Sequence, residues 1–96
     1  MNTKSEGKFE SDYLKYCRIR GIACKKLILA SEASWPDRTL LYKGKIMFME
    51  LKRKGEKPTH LQLYTLKALT DQGFYAVWSS DLDDAMFLTE QWRVAQ

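Results

Sequence analysis

The chain has 96 residues, a length that supports one domain and excludes a second hydrophobic core. Its 45% hydrophobic and 29% charged residues are typical of a globular protein and exclude a disordered or fibrous one. No stretch is apolar over a length that predicts a membrane span, and the polar N-terminus lacks the apolar core of a secretory signal. Cys17 and Cys24 are too few for a disulfide framework and lack zinc-site spacing, so we expect free thiols. We therefore predict one cytoplasmic domain over residues 1–96, without a membrane partner.

The charge of the chain is unevenly distributed along the sequence. Residues 1–57 contain 14 Lys or Arg and 7 Asp or Glu, whereas residues 58–96 contain 2 and 5. The net charge of +4 therefore combines +7 in the first part with −3 in the second. A strongly basic surface favours partners that carry phosphate groups.

Hydrophobic periodicity and turn residues predict seven elements of secondary structure. Phe9, Tyr13, Tyr16 and Cys17 recur at helical spacing, and Gly21 follows where a helix-ending residue is expected. The predicted elements are a helix over Glu6–Arg20, strands over Ile22–Leu29, Asp37–Tyr42 and Lys45–Lys52, a helix opened by Pro58-Thr59 and closed at Gly73, a strand over Phe74–Trp78, and a helix capped by Asp81 that extends through Trp92. A loop separates the first two strands over Ser31–Pro36. The order αβββαβα predicts an α/β (α+β) domain with helices flanking a small mixed sheet.

Several apolar and aromatic side chains have structural interpretations. Leu63, Leu66 and Leu69 form an apolar stripe on the predicted second helix, so we expect them to face the core. Trp35 and Trp78 could stack on nucleic-acid bases, but packing in the core or in a dimer is the favoured interpretation. We therefore expect these residues to pack against other side chains and not to take part in catalysis or binding.

The predicted hairpin brings two carboxylates together. If Lys43-Gly44 forms a two-residue turn, Asp37 lies directly opposite Glu50, with Cβ atoms about 4.5–5.5 Å apart. Two carboxylates this close repel unless a cation lies between them, and hard oxygen ligands favour Mg²⁺ or Mn²⁺. Lys52 lies on the same face about 6–7 Å further along the strand, where its ammonium group can orient a water or stabilise a phosphate. A three-residue loop would shift the register and separate the acids.

These residues resemble the signature of the PD-(D/E)xK nucleases. Pro36-Asp37 is followed, after a gap, by Glu50-Leu51-Lys52. The surrounding residues are similar to those of the virus-type replication–repair nuclease domain (VRR-NUC), with Arg38 after the aspartate and Gln62 in the helix that follows the lysine. The resemblance extends over most of the chain and implies a restriction-endonuclease-like core with the element order predicted above.

The resemblance also implies a set of site residues. As metal ligands it implies Asp37, Glu50, the backbone carbonyl of Leu51 and Glu10, and as catalytic residues Asp37, Glu50, Lys52 and Gln62. Glu6 is a weaker alternative to Glu10, and a solvated helix edge explains either acid. Gln62 also fits a capping box with Thr59, so the cap and the site remain open interpretations. His60 is interpreted as a surface residue, with phosphate contact as the minor alternative.

The functional prediction is a Mg²⁺- or Mn²⁺-dependent endonuclease that hydrolyses phosphodiester bonds in DNA. The basic residues expected to follow the DNA backbone are Lys25, Lys26, Arg38, Arg53, Lys54 and Lys57. The resemblance implies a stand-alone bacterial or phage protein that forms a homodimer and acts on branched DNA such as four-way junctions. Two alternatives are a non-catalytic nucleic-acid-binding module on a nuclease-like fold and an interaction protein in which the paired acids are incidental.

Overall fold

The computed structural model describes residues 3–27, 29 and 33–95, with side chains from residue 7 onwards. Its elements are α1 (Thr3–Ile19), β1 (Ala23–Lys26), β2 (Arg38–Tyr42), β3 (Lys45–Leu51), α2 (His60–Asp71), β4 (Tyr75–Ser79) and α3 (Leu82–Val94). The predicted order αβββαβα and the α+β class are confirmed. Ile28 of the predicted first strand and Ser31 and Glu32 of the predicted loop lie outside the described residues.

The four strands form one mixed sheet in the order β1-β2-β3-β4. β1, β2 and β3 are antiparallel neighbours, whereas β3 and β4 are parallel and are connected through α2. β1 is shorter than the predicted strand over Ile22–Leu29, because it is an edge strand whose only partner, β2, begins at Arg38 opposite Lys26. Among the described residues, β2 is the strand that pairs with β1, and their ladder ends at Lys26.

The hairpin between β2 and β3 has the predicted two-residue turn. Lys43 and Gly44 both have positive φ angles, 45° and 81°, as a type I′ turn requires. The resulting register pairs Tyr42 with Lys45 and Arg38 with Met49. The next positions in this register are Asp37 and Glu50, so the predicted alignment of the two acids is confirmed even though β2 begins one residue after Asp37.

One face of the sheet packs against α1 and α3 and forms the core. The buried residues of this layer are Tyr13, Tyr16, Cys17, Ile22, Leu40, Met47, Met49, Ala85 and Trp92. The predicted apolar stripe of α1 is therefore confirmed. The hydroxyl groups of Tyr13 and Thr89 are 2.6 Å apart and join α1 to α3 inside this layer. Cys17 and Cys24 are free thiols, as expected.

The opposite face of the sheet is only partly covered. α2 packs against β4 and buries Leu66 and Leu69, but Leu63 is 45% exposed, so its predicted burial is wrong. The reason is that α2 covers mainly the edge strand, which leaves the margin of the helix facing solvent. Trp35 packs edge-on against Phe48, as favoured from the sequence. Among the described residues, no helix is long and apolar enough to cross a membrane.

Candidate active site

The two predicted acids and the predicted lysine meet where β2 begins and β3 ends. The backbone N–H of Asp37 donates to Oε1 of Glu50 over 3.2 Å. The backbone N–H of Leu51 donates in return to Oδ2 of Asp37 over 3.1 Å. This reciprocal pair of bonds continues the hairpin register and holds both carboxylates at one end of the sheet. Lys52 follows directly, and its Nζ lies 3.6 Å from Oε2 of Glu50.

The segment before Asp37 is anchored from both sides. Pro36 is fully buried and Trp35 packs on the Phe48 ring, with centroids 5.7 Å apart. The hydroxyl of Ser34 lies 2.8 Å from that of Thr65 on α2. These contacts tie the approach to Asp37 to β3 and to α2, so the position of the aspartate does not depend on the hairpin alone.

Burial and repulsion from a neighbouring acid govern the electrostatics of the two carboxyl groups: Glu10 acts on Asp37, and Asp37 acts on Glu50. Glu50 is only 3% exposed and Asp37 is half-buried. Burial raises the pKa of both carboxyl groups, and the charge of Asp37 raises the pKa of Glu50 further. Lys52 acts in the opposite direction on both groups but does not cancel these effects. The pair therefore lies in an environment that disfavours its negative charge.

A small cavity of about 80 Å³ opens beside these residues. It is lined by Phe9, Glu10, Lys26, Asp37, Leu51 and Lys52. Glu10 thus faces the same space as Asp37, but its carboxylate accepts a 2.6 Å bond from Nη2 of Arg38. Within the described part of the chain, no three His, Cys, Asp or Glu side chains converge on one point where a metal could bind. Glu10 as a metal ligand therefore stays a prediction.

The oxygen atoms that this site offers as ligands nevertheless fit a hard divalent cation. Oδ1 of Asp37 accepts no hydrogen bond from the residues that the structure describes, whereas Oδ2 accepts the Leu51 amide. The side chain of Glu50 lies next to it, and the cavity that Asp37 lines provides space. Carboxylate and carbonyl oxygens are the ligands that Mg²⁺ and Mn²⁺ prefer. A cation here would also relieve the repulsion between the acids.

Gln62 makes both of the contacts that the sequence left as alternatives. Its Oε1 accepts the Thr59 N–H over 2.9 Å, while the Thr59 hydroxyl accepts the Gln62 N–H over 3.1 Å, which completes a capping box. Its Nε2 donates to Oε2 of Glu50 over 3.2 Å. The cap and the site contact thus coexist in one side chain. His60, on the same turn, is exposed, as interpreted from the sequence.

The basic residues assigned to DNA fall into different environments. Lys25, Lys54 and Lys57 are exposed, and Arg53 is half-buried and engaged in an interaction of its own. Arg38 is only 8% exposed and is paired with Glu10, so its burial favours a role inside the site over contact with DNA.

Two features of the site were not anticipated from the sequence. Lys26 was assigned to the DNA backbone but lines the cavity beside Asp37. The signal was available in the strand pattern, because Lys26 pairs with Arg38, the residue next to Asp37. The Glu10–Arg38 ion pair had no comparable signal, since it depends on how α1 lies on the sheet. The side chain of Glu6 lies outside the described residues.

Comparisons with known proteins bear on the fold of the chain. No protein-family model matches the sequence, and no curated protein matches it either. Two solved structures are similar to the chain. One, described as a "VRR_NUC domain", has a TM-score of 0.71 and 24% identity and covers 88% of this chain and 97% of its own. The other, a "VRR_NUC domain protein", has a TM-score of 0.74 and 15% identity and covers 92% of this chain and 87% of its own. The chain therefore has the fold of VRR-NUC domains, as its Pro-Asp and Glu-x-Lys motifs imply.

Proposed function

We propose that the protein is a divalent-metal-dependent nuclease that hydrolyses phosphodiester bonds in DNA. The observation that carries the proposal is the contact of Asp37, Glu50 and Lys52 at one end of the hairpin, beside a cavity. Acids whose pKa values are raised by burial and by a neighbouring charge, beside a cavity and a lysine, are typical of active sites. The VRR-NUC fold supports the same function by analogy.

The site residues have different roles in the proposed reaction. Asp37, Glu50 and the carbonyl of Leu51 would hold Mg²⁺ or Mn²⁺, with Glu10 joining them if it leaves Arg38. When bound, the cation supplies a Lewis acid that offsets the negative charge of the phosphate. Lys52 orients the attacking water and stabilises charge that develops on the phosphate oxygens, because the residue lines the cavity and its ammonium group lies 3.6 Å from Glu50.

Binding of DNA would depend mainly on backbone charge. Lys25, Lys54 and Lys57 are exposed cations in the basic part of the chain, and two of them lie just after the site. Contacts of this kind recognise phosphates and carry no sequence information. We therefore expect binding that weakens steeply with salt and differs little among sequences.

The test is cleavage of labelled duplex, flap and four-way-junction DNA with Mg²⁺ or Mn²⁺. Asp37→Asn and Lys52→Ala should each reduce cleavage by at least a hundredfold, because each removes a group that touches the reacting phosphate or its cation. Lys67→Ala is the matched control, since Lys67 is an exposed lysine on α2 that pairs with Asp71 on the same helix. It should cleave like the unaltered protein.

Each outcome of this test has a distinct meaning. Cleavage that needs metal and is lost in both site variants supports the nuclease. If the unaltered protein binds DNA but cuts none of the substrates with either metal, the nuclease proposal fails and a non-catalytic binding module replaces it. Cleavage that persists in Asp37→Asn and Lys52→Ala would show that the assigned site is wrong.

The finer proposal is that two copies of the chain act together on branched DNA. Its support is the resemblance of the motifs, together with an apolar row across the open sheet face. Leu41, Ile46 and Phe74 are 43%, 40% and 38% exposed, and Leu41 and Ile46 are cross-strand partners. A two-fold dimer would suit a two-fold junction, because each site could cut one strand. Light scattering should give a dimer that Ile46→Lys dissociates, and junction cleavage should fall with it. A monomer that cuts junctions would refute this part.

A further inference from the structure

The capping box of α2 fixes which end of the Gln62 amide faces the site. A glutamine amide has one acceptor oxygen and one donor nitrogen. The Thr59 N–H occupies the oxygen at 2.9 Å, so the NH₂ group is the end that reaches Glu50. In the flipped orientation, the oxygen of Gln62 would face a carboxylate and its NH₂ would face an N–H. Both bonds would be lost together, so Thr59 determines the orientation of Gln62.

The orientation of Gln62 matters because Glu50 is almost completely buried. A buried carboxylate needs hydrogen-bond donors to remain in one position. Oε1 of Glu50 accepts the Asp37 N–H, and Oε2 accepts Nε2 of Gln62 with Lys52 3.6 Å away. Of these donors, Lys52 is the flexible one, whereas Gln62 is fixed at its other end by Thr59. Gln62 therefore limits rotation of the carboxylate more than Lys52 does.

We propose that Thr59 is a positioning residue of the candidate site, which acts through Gln62 to hold Glu50 in the orientation that binds a divalent cation. The cation half of this inference rests on the proposed function, whereas the link from Thr59 to Glu50 does not. An N-cap normally stabilises only its own helix. Here the residue that completes the capping box also contacts a buried acid of the site, so the N-terminus of α2 and the geometry of Glu50 are coupled.

The chain offers a matched control for a purely structural role. Asp81 caps α3 in the same way, with Oδ2 accepting the Asp84 N–H over 2.9 Å. The Asp81 side chain makes no hydrogen bond to Asp37, Glu50 or Lys52. Thr59→Ala and Asp81→Ala therefore remove comparable helix caps. Thr59→Ala keeps the backbone N–H that Oε1 of Gln62 accepts, but it removes the hydroxyl that fixes the backbone of Gln62, so only this variant loosens the turn that carries the Gln62 side chain. Thr59→Ser keeps the hydroxyl and serves as the conservative variant.

The first measurement is made without metal, by ¹⁵N NMR of the Gln62 side-chain amide. In the unaltered protein, Thr59→Ser and Asp81→Ala, its two protons should have shifts displaced from those of a free glutamine and should exchange slowly with water. In Thr59→Ala they should approach the shifts of a free glutamine. Unchanged Gln62 signals in Thr59→Ala would overturn the proposal, whatever the metal data show.

The second measurement is the affinity for Mn²⁺ alone, by calorimetry in the absence of DNA. Thr59→Ala should raise the Kd about tenfold, as loss of a group that orients a metal ligand commonly does. Asp81→Ala should leave the Kd unchanged even if both variants lower the Tm equally. Gln62→Ala removes the bond to Glu50 outright, so it should raise the Kd at least as much as Thr59→Ala, and the double variant should raise it little further, because the cap acts on Glu50 through Gln62. Equal Kd values for Thr59→Ala and the unaltered protein would refute the effect on the cation. If the unaltered protein binds no Mn²⁺, the proposed function fails, and the NMR result alone decides the link to Glu50.

Discussion

A charge-neutral substitution at Asp37 should stabilise the protein in metal-free buffer while it abolishes the proposed activity. Asp37→Asn keeps the shape of the side chain, and the amide oxygen can still accept the Leu51 N–H that Oδ2 accepts now. Oδ1, which accepts no hydrogen bond from the described residues, becomes the NH₂ group. The substitution therefore removes the charge and leaves the hydrogen bond in place. Glu50→Gln is less suitable, because its NH₂ group would face a donor on Asp37 or on Gln62.

The expected gain in the free energy of unfolding depends on how far Lys52 and Lys26 offset the repulsion between the two acids. At an effective dielectric constant of about 20, like unit charges about 4–6 Å apart, the range over which neighbouring charges shift a pKa, repel by about 3–4 kcal/mol. Lys52 offsets much of this repulsion for both acids, and Lys26 offsets part of it for Asp37. Burial adds its own penalty on the charged form of Asp37 and is the largest cause of its raised pKa. We expect a net gain of about 1 kcal/mol for Asp37→Asn, which would raise the Tm by about 4–8 °C in a domain of this size.

The assay is thermal unfolding of both proteins at neutral pH, first with a chelator and then with Mn²⁺. Mn²⁺ at about a hundred times its Kd should stabilise the unaltered protein by about 2.7 kcal/mol and should stabilise the variant far less, so the order of stability reverses. Asp12→Asn removes one acidic charge from a surface pair with Lys8 and should change the Tm little in either buffer. A variant that is less stable than the unaltered protein with the chelator present would refute the reasoning.

Thermal unfolding at acidic pH tests independently whether the charge of Asp37 destabilises the folded protein. The pKa of Asp37 is higher in the folded chain than its ordinary value of 3.8. Below that ordinary value the carboxyl group is neutral in both the folded and the unfolded states, so it costs nothing. The penalty develops as the pH rises from there through the folded pKa and is complete at neutral pH. The advantage of Asp37→Asn in chelator should therefore disappear on acidification. An advantage that persists or grows in acid would show that relief of a buried charge is not its cause.

Three further substitutions test other contacts. Lys26→Ala should lower the cleavage rate at saturating DNA about tenfold, because Lys26 lines the cavity beside Asp37. Lys25→Ala, at the neighbouring position of β1, should mainly weaken DNA binding, because Lys25 does not line that cavity. Equal effects of the two substitutions on the cleavage rate would contradict this prediction. Lys45→Met should lower the free energy of unfolding by about 1–2 kcal/mol in urea, because Nζ donates to three carbonyls at the end of α3, over 2.7, 2.9 and 2.6 Å. Tyr13→Phe should cost about 1 kcal/mol in the same assay, since it removes the buried bond to Thr89; no change would mean that the bond adds nothing net.

The hairpin could be predicted from the sequence because local chemistry determines it. Lys43-Gly44 meets the backbone requirement of a type I′ turn, and the period of two along each strand then aligns Asp37 with Glu50. The end of the first strand could not be predicted in this way. Its apolar run continues to Leu29, but its ladder ends where its single partner begins, and that partner is distant in sequence.

The capping box of α2 could be predicted from the sequence only in part. The spacing of Thr59 and Gln62 predicts a helix N-terminus directly. The second contact of Gln62 could not be predicted, because it requires α2 to start beside the end of β3, and the parallel crossover to β4 determines that placement. The partner of Glu10 is set in the same non-local way, by the packing of α1 over Arg38.

The allocation of charges in the site explains why Asp37 is its most informative residue. The described neighbourhood holds three acids and three cations, so it is not short of formal positive charge. Two of the cations are already engaged, since Arg38 bonds to Glu10 and Nζ of Lys52 lies 3.6 Å from Glu50. From the residues that the structure describes, the Asp37 carboxylate accepts a hydrogen bond from a backbone amide alone, and the charges of Lys26 and Lys52 act on it without a hydrogen bond. A divalent cation would therefore gain most at Asp37, and a neutral residue there should remove both the instability and the affinity for metal.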